Sequence, residues 1–223
     1  MAQRSFAKRL VYNALRLLAR LACVLVFRIR CRGRQLEPSQ GAAVVCANHQ
    51  SFLDPVFIGL AFNRRLNFLA RQSLFVAGPF GWLIGYLDAI PIDREGFGLA
   101  GLKESLRRLR RGEMVLMFPE GTRSRDGVLA PFKPGLTTVV RRCGAALVPV
   151  GLDGAFEVWP RNRRWPRPGI VHVVIGEPIS PELCGSLSDH CLVEELERRV
   201  RACCETARRG RLRGCDEGRV RLP

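Results

Sequence analysis

The stretch Ala43-Val44-Val45-Cys46-Ala47-Asn48-His49-Gln50-Ser51-Phe52-Leu53-Asp54-Pro55 decides the fold. Its first five residues form a short apolar run of the kind that makes a buried strand. Pro55 suits the first turn of a helix and Asp54 suits its N-cap, so the stretch reads as a strand–loop–helix junction. Such a turn brings His49 and Asp54 together at a sheet edge. A carboxylate on one imidazole nitrogen fixes the tautomer and leaves the other nitrogen able to accept a proton, which makes a general base for a hydroxyl. Taken alone, the spacing is better explained by a capping Asp beside an incidental His.

Outward from this junction, short β-branched runs alternate with helical periodicity. Further strands are expected at 66–70, 88–92, 114–118, 146–151 and 171–176, and helices at 54–62, 99–111, 134–142 and 188–208. The helix at 134–142 opens with Pro134 and stops at Gly144. In the last helix Leu192, Leu196, Val200 and Cys203 make one apolar stripe, which turns Cys203 toward the core. The expected fold class is α/β: a single domain over 41–208, with a mixed central sheet flanked by helices. Residues 209–223, rich in Arg and Gly, are expected to be a basic disordered tail.

Residues 1–40 read as a basic, membrane-anchoring segment. Positions 1–35 hold nine Arg or Lys and no acid, and the longest unbroken apolar run, 21–27, is seven residues. A spanning helix needs about 20. Arg28, Arg30, Arg32 and Arg34 follow the run where a signal peptide would carry small residues. On a helical wheel Ser5, Arg9, Asn13, Arg16 and Arg20 share a strip about 80° wide, and leucines cover most of the rest. That pattern is an amphipathic interface helix, the alternative being a helix packed on its own domain. The expected location is the cytoplasmic face of a membrane, monotopic or peripheral. Nine cysteines, an odd count, without a C-x-x-C pair or an N-x-S/T sequon argue against a disulfide scaffold and a structural metal site.

The formal net charge of +16 points to nucleic acid, an anionic membrane face or phosphorylated substrates. A nucleic-acid-binding protein is the main rival class, but no reading module is present and aromatic residues are not interleaved with the Arg clusters. A second junction favours phosphate chemistry. The apolar run at 114–118 is followed by Pro119-Glu120-Gly121-Thr122-Arg123-Ser124-Arg125, whose glycine, hydroxyl and guanidinium groups suit a phosphate at a strand's C-terminal end. A third loop, Ile90-Pro91-Ile92-Asp93-Arg94, ends another strand with an Arg. Gly96–Gly101 matches G-x-G-x-x-G only formally, because a charged triplet separates it from its strand. Ser51 and Cys46 lie near His49, but without a G-x-S-x-G elbow. Arg161-Asn162-Arg163-Arg164-Trp165 reads either as a lipid-phosphate contact or as a solvated face.

Together these blocks resemble the glycerolipid acyltransferase superfamily, best known through the 1-acylglycerol-3-phosphate acyltransferases. Asn48-His49…Asp54 matches the N-H-x4-D block, and Phe118–Ser124 matches F-P-E-G-T-R-S without a gap. Ile90–Arg94 and Val148-Pro149-Val150 match two further blocks, all in family order, over roughly 41–179. The resemblance implies transfer of a fatty acyl group from acyl-CoA or acyl-carrier protein, used as co-substrate without a cofactor or metal. His49 and Asp54 would be catalytic. Arg94, Glu120, Gly121, Thr122 and Arg123 would form the acceptor-binding set, with Glu120 organising the loop. The acceptor implied is 1-acylglycerol 3-phosphate, giving phosphatidate. One departure bears on it: Arg71-Gln72-Ser73 stands where many such enzymes carry Lys-Lys-Glu, which leaves glycerol 3-phosphate or another lysophospholipid open. Expected partners are an anionic membrane surface, the lysophospholipid and acyl thioester substrates, and acyl-carrier protein if it is the donor, with no nucleic acid.

Overall fold

The computed structural model describes residues 17–21, 23–75, 90–92 and 99–219. Seven strands make one sheet: β1 (Arg30–Arg32), β2 (Ala43–Ala47), β3 (Leu66–Arg71), β4 (Ile90–Ile92), β5 (Met114–Met117), β6 (Ala146–Asp153) and β7 (His172–Ile175), in the order β1-β7-β6-β2-β5-β3-β4. All neighbours run parallel except β6 and β7, so the sheet is mixed as expected. β2 lies at its centre and all five of its residues are buried, because both faces of the sheet are covered.

Alternation along β2 feeds two cores. Ala43, Val45 and Ala47 face a cluster with Phe57, Ile58 and Phe62 from α2 (Asp54–Ala61). Helical residues 17–21 and 23–27, α1, pack on the same side through Ala19, Cys23 and Phe27. Val44 and Cys46 face the opposite cluster, built with Leu106 and Leu109 of α4 (Leu99–Leu109), Val139 and Val140 of α5 (Gly135–Cys143), and Leu192, Leu196 and Val200 of α8 (Asp189–Arg219). Three further short α-helices lie among the described residues: α3 (Gln72–Phe75), α6 (Ala155–Val158) and α7 (Pro181–Ser186).

Two expectations are corrected. The membrane-anchoring segment expected over 1–40 overlaps the domain, because Arg30–Arg32 form an edge strand paired in parallel with His172–Val174. The three residues alternate exposed, half-buried and exposed, so their side chains carry almost no strand signal. The basic tail is helical as far as Arg219. There the apolar stripe continues through the buried Ala207, and Arg211 pairs with Asp153 and Glu157, tying the helix to the end of β6 and to α6. α8 lies unusually close to the sheet. A Cβ on Gly151 of β6 would stand 2.2 Å from the Cys204 amide nitrogen and 2.3 Å from the Cys203 carbonyl carbon, so glycine is required there. Cys203 is buried in that contact, as the stripe predicted.

The outer side of α1 is apolar: Leu17, Leu18, Leu21, Val24 and Leu25 are all exposed. Among the described residues no helix is long and apolar enough to cross a membrane. Ser5, Arg9, Asn13 and Arg16 of the polar strip lie outside the described residues, as do Arg94 and residues 96–98.

Candidate active site

The site is built where β2 ends. Asn48 extends the strand with its side chain: its amide donates to the Leu152 carbonyl at 2.9 Å and accepts from the Leu152 amide at 2.8 Å. This side-chain ladder fixes the exit of the chain next to β6, and His49 follows directly. Asp54 stands at the start of α2 but does not cap it, contrary to expectation. Its Oδ2 turns back into the loop, accepting from the amides of Gln50 at 2.6 Å and Ser51 at 2.7 Å, and meeting His49 Nδ1 at 2.8 Å. Two convergent loop amides leave a fully buried carboxylate where it holds the imidazole. Nδ1 is thereby committed, and Nε2 is the nitrogen available to a substrate. The ring stacks on Phe118, 3.8 Å between centroids and 13° between planes, with 19% of the side chain exposed. A base locked in plane but reachable at one edge results.

The loop after β5 holds the other side of His49. Glu120, placed by the resemblance in the acceptor-binding set as the organiser of its loop, is turned inward. Its Oε1 accepts from the His49 amide at 2.7 Å and its Oε2 from the Ala130 amide at 3.1 Å. Burial pushes its pKa up to about 7, against the pull of those two amides. The His49 carbonyl in turn accepts from the Ser124 amide at 2.7 Å. Both main-chain groups of His49 are therefore fixed by the loop, and Glu120 acts as its anchor.

Gly121 and Thr122 remain on the exposed rim, and Arg123 is half-buried. The Arg123 guanidinium lies 3.4 Å above the Phe52 ring, which leans on Trp159 at 5.1 Å. Gly121 has φ +73°, and a Cβ there would stand 2.7 Å from Lys133 Nζ. The Lys133 side chain thus lies across the loop, and its own amide donates to the Pro119 carbonyl at 3.0 Å. Sequence reasoning passed over Lys133. Its one signal was rarity, as one of three lysines among 36 basic residues. Arg94 lies outside the described residues. The structure therefore brings together His49, Asp54, Glu120, Gly121 and, from outside the expected set, Lys133. Thr122 and Arg123 stand on the same loop.

Neither nearby nucleophile candidate fits a covalent route. Ser51 is fully buried and its Oγ accepts from the Leu53 amide, while burial pushes the Cys46 thiol pKa far up. What the arrangement offers is an oriented imidazole next to a loop with a lysine and an arginine.

Fold and site together define an α/β protein with a carboxylate-oriented imidazole beside a basic loop. The chain belongs to the Acyltransferase family, whose model matches residues 28–153. It is 34% identical over 157 residues to a chloroplastic 1-acyl-sn-glycerol-3-phosphate acyltransferase of Arabidopsis thaliana, covering 69% of this chain and 44% of that protein. Against the 1-acyl-sn-glycerol-3-phosphate acyltransferase of Pseudomonas aeruginosa the identity is 32% over 179 residues, covering 78% of this chain and 66% of the relative. The crystal structure of the 1-acyl-sn-glycerophosphate (LPA) acyltransferase PlsC from Thermotoga maritima superposes with a TM-score of 0.75 at 27% identity, covering 100% of this chain and 86% of that one. The chain spans less than half the length of the chloroplast relative.

Proposed function

We propose that this protein transfers a fatty acyl group from an acyl thioester to the free hydroxyl of 1-acylglycerol 3-phosphate, giving phosphatidate. The observation that carries the reading is the Asp54–His49 pair at 2.8 Å, which leaves Nε2 uncommitted, with the His49 main chain held by the loop that Lys133 crosses. His49 Nε2 takes the proton of the acceptor hydroxyl as its oxygen attacks the thioester carbonyl. Asp54 balances the imidazolium. The tetrahedral intermediate collapses, the carbon–sulfur bond breaks, and the proton on Nε2 passes to the departing thiolate. A thiolate leaves readily, so direct transfer needs no covalent enzyme intermediate and no resident cofactor. Arg123, Lys133 and Arg94 hold the phosphate monoester, with Gly121 and Thr122 shaping the rim; Glu120 positions His49 from behind. The thioester is acyl-CoA or acyl-carrier protein. The exposed leucines of α1 support a peripheral position on a membrane, and the cytoplasmic face is the side proposed.

The test is thiol release from acyl-CoA and from acyl-carrier protein with lysophosphatidate, glycerol 3-phosphate and a lysophospholipid diester as acceptors. Release should need lysophosphatidate and fall by about 10²–10⁴ in His49→Ala. Release without acceptor, equal in both proteins, would overturn the reading. A preference for glycerol 3-phosphate would keep the chemistry and change the acceptor.

A further inference from the structure

We propose that the loop leading from Trp159 to Val171 is a second membrane contact, which seats the rim of the active site on an anionic bilayer. Trp-Pro-Arg-Asn-Arg-Arg-Trp-Pro-Arg-Pro-Gly-Ile-Val carries four Arg, two Trp and three Pro, with no acid. The loop is braced from within. The Trp159 indole donates to the Arg163 carbonyl at 3.0 Å, the Arg163 amide to the Pro160 carbonyl at 3.2 Å, and the Arg167 amide to the Val158 carbonyl at 3.0 Å. With prolines at three of its positions, presenting this surface costs little further ordering.

What the brace presents faces outward. Trp165 is 69% exposed, with the Arg164 guanidinium 5.8 Å from its ring centroid. Arg161, Arg164 and Arg167 are exposed, and among the described residues no carboxylate pairs with any of them. An indole flanked by unpaired guanidinium groups suits the headgroup layer, where the ring lies at the apolar boundary and the cations meet phosphates.

Position supports the same occupant. The returning limb of the loop is stitched to the end of α1: the Gly169 amide donates to the Val26 carbonyl at 3.3 Å and the Val171 amide to the Phe27 carbonyl at 3.1 Å. Leu25 and Val26, both exposed, stand at that junction. The outgoing limb begins at Trp159, which packs against Phe52 beneath Arg123. One braced element therefore connects the exposed leucines with the rim of the site. A polyanion such as nucleic acid would satisfy the arginines but offers nothing to the adjoining aliphatic surface, whereas a bilayer satisfies both.

The test uses the full chain and needs no enzymatic activity, so its outcome is separate from the acyl-transfer reading. Flotation with phosphatidylcholine vesicles, with and without phosphatidylglycerol, compares the parent with Arg161→Gln/Arg164→Gln/Arg167→Gln and with Trp165→Ala. Trp159 and Arg163 are kept because they make the internal braces, and an unchanged melting temperature verifies the fold. The triple variant should partition about ten- to a hundredfold less onto anionic vesicles and equally onto neutral ones. Trp165→Ala should lose partition on both. Parent-like partition of both variants would overturn the proposal. So would a triple variant that loses affinity for a DNA duplex while keeping its affinity for vesicles.

Discussion

Replacing Gly121 by Ala separates what the Pro119–Arg123 loop does for stability from what it does for the acceptor. At φ +73° an alanine takes on the left-handed penalty, about 1 kcal/mol. Its Cβ would also stand 2.7 Å from Lys133 Nζ, 3.0 Å from Cε and 3.2 Å from Cδ. Ordinary contact begins near 3.4 Å, so the ammonium must withdraw by 3.4 − 2.7 = 0.7 Å. Lys133 is exposed and flexible, so the withdrawal adds little to the folding cost. The melting temperature should fall by about 2–4 °C. Acceptor binding should suffer more. A charge-assisted contact from an ammonium to a phosphate contributes about 1.5–3 kcal/mol, or tenfold and upward in KM. The assay is thiol release at varied lysophosphatidate with Gly121→Ala, Lys133→Gln and the double variant. Each single change should raise KM about tenfold with kcat nearly kept, and the double should be no worse than Lys133→Gln alone, because both remove the same contact. Additive KM effects, or a collapse of kcat in Gly121→Ala, would refute the placing of Lys133 on the phosphate.

Two further predictions concern stability. Glu120 has its pKa raised from 4.5 to about 7, so the folded state binds this proton more tightly than the unfolded chain does. Its stabilising contribution is complete below pH 4.5 and is lost as the pH rises toward 7, about 3 kcal/mol in all. Denaturant midpoints at pH 5 and pH 8 should diverge in the parent and converge in Glu120→Gln; an identical pH slope in both proteins would show that Glu120 is not the group responsible. Gly151→Ala puts a Cβ 2.2 Å from the backbone of α8, where no flexible side chain can yield. It should cost more than about 4 kcal/mol in urea unfolding, and a loss below about 1 kcal/mol would mean that the helix is not pressed onto the strand.

Local chemistry made most of the scaffold legible. The apolar run at 43–47 is β2 to the residue, and Pro134 and Gly144 bracket α5 because one cannot continue a helix backward and the other ends it at φ +54°. His49 and Asp54 could be placed on one strand–loop–helix turn in advance, but their pairing gained weight only with the second junction at 114–125. β1 was missed for the opposite reason: Arg-Cys-Arg becomes a strand only because His172–Val174 offers an edge. The extension of α8 to Arg219 also rests on partners far along the chain, Asp153 and Glu157, which the composition of the tail cannot reveal.

The sequence by itself determined the α/β class, the central strand, the strand–loop–helix junction that carries His49 and Asp54, and the glycine- and arginine-bearing loop after 114–118, since each follows from period, turn chemistry or spacing within a few residues. Only the tertiary structure decided the work of the individual side chains. It turned Glu120 inward onto the His49 amide, set Asp54 as acceptor for its own loop, and laid Lys133 over Gly121. These are contacts between backbone and side chains brought together by folding, and they are fixed by which strands lie side by side, a long-range fact that no local pattern encodes.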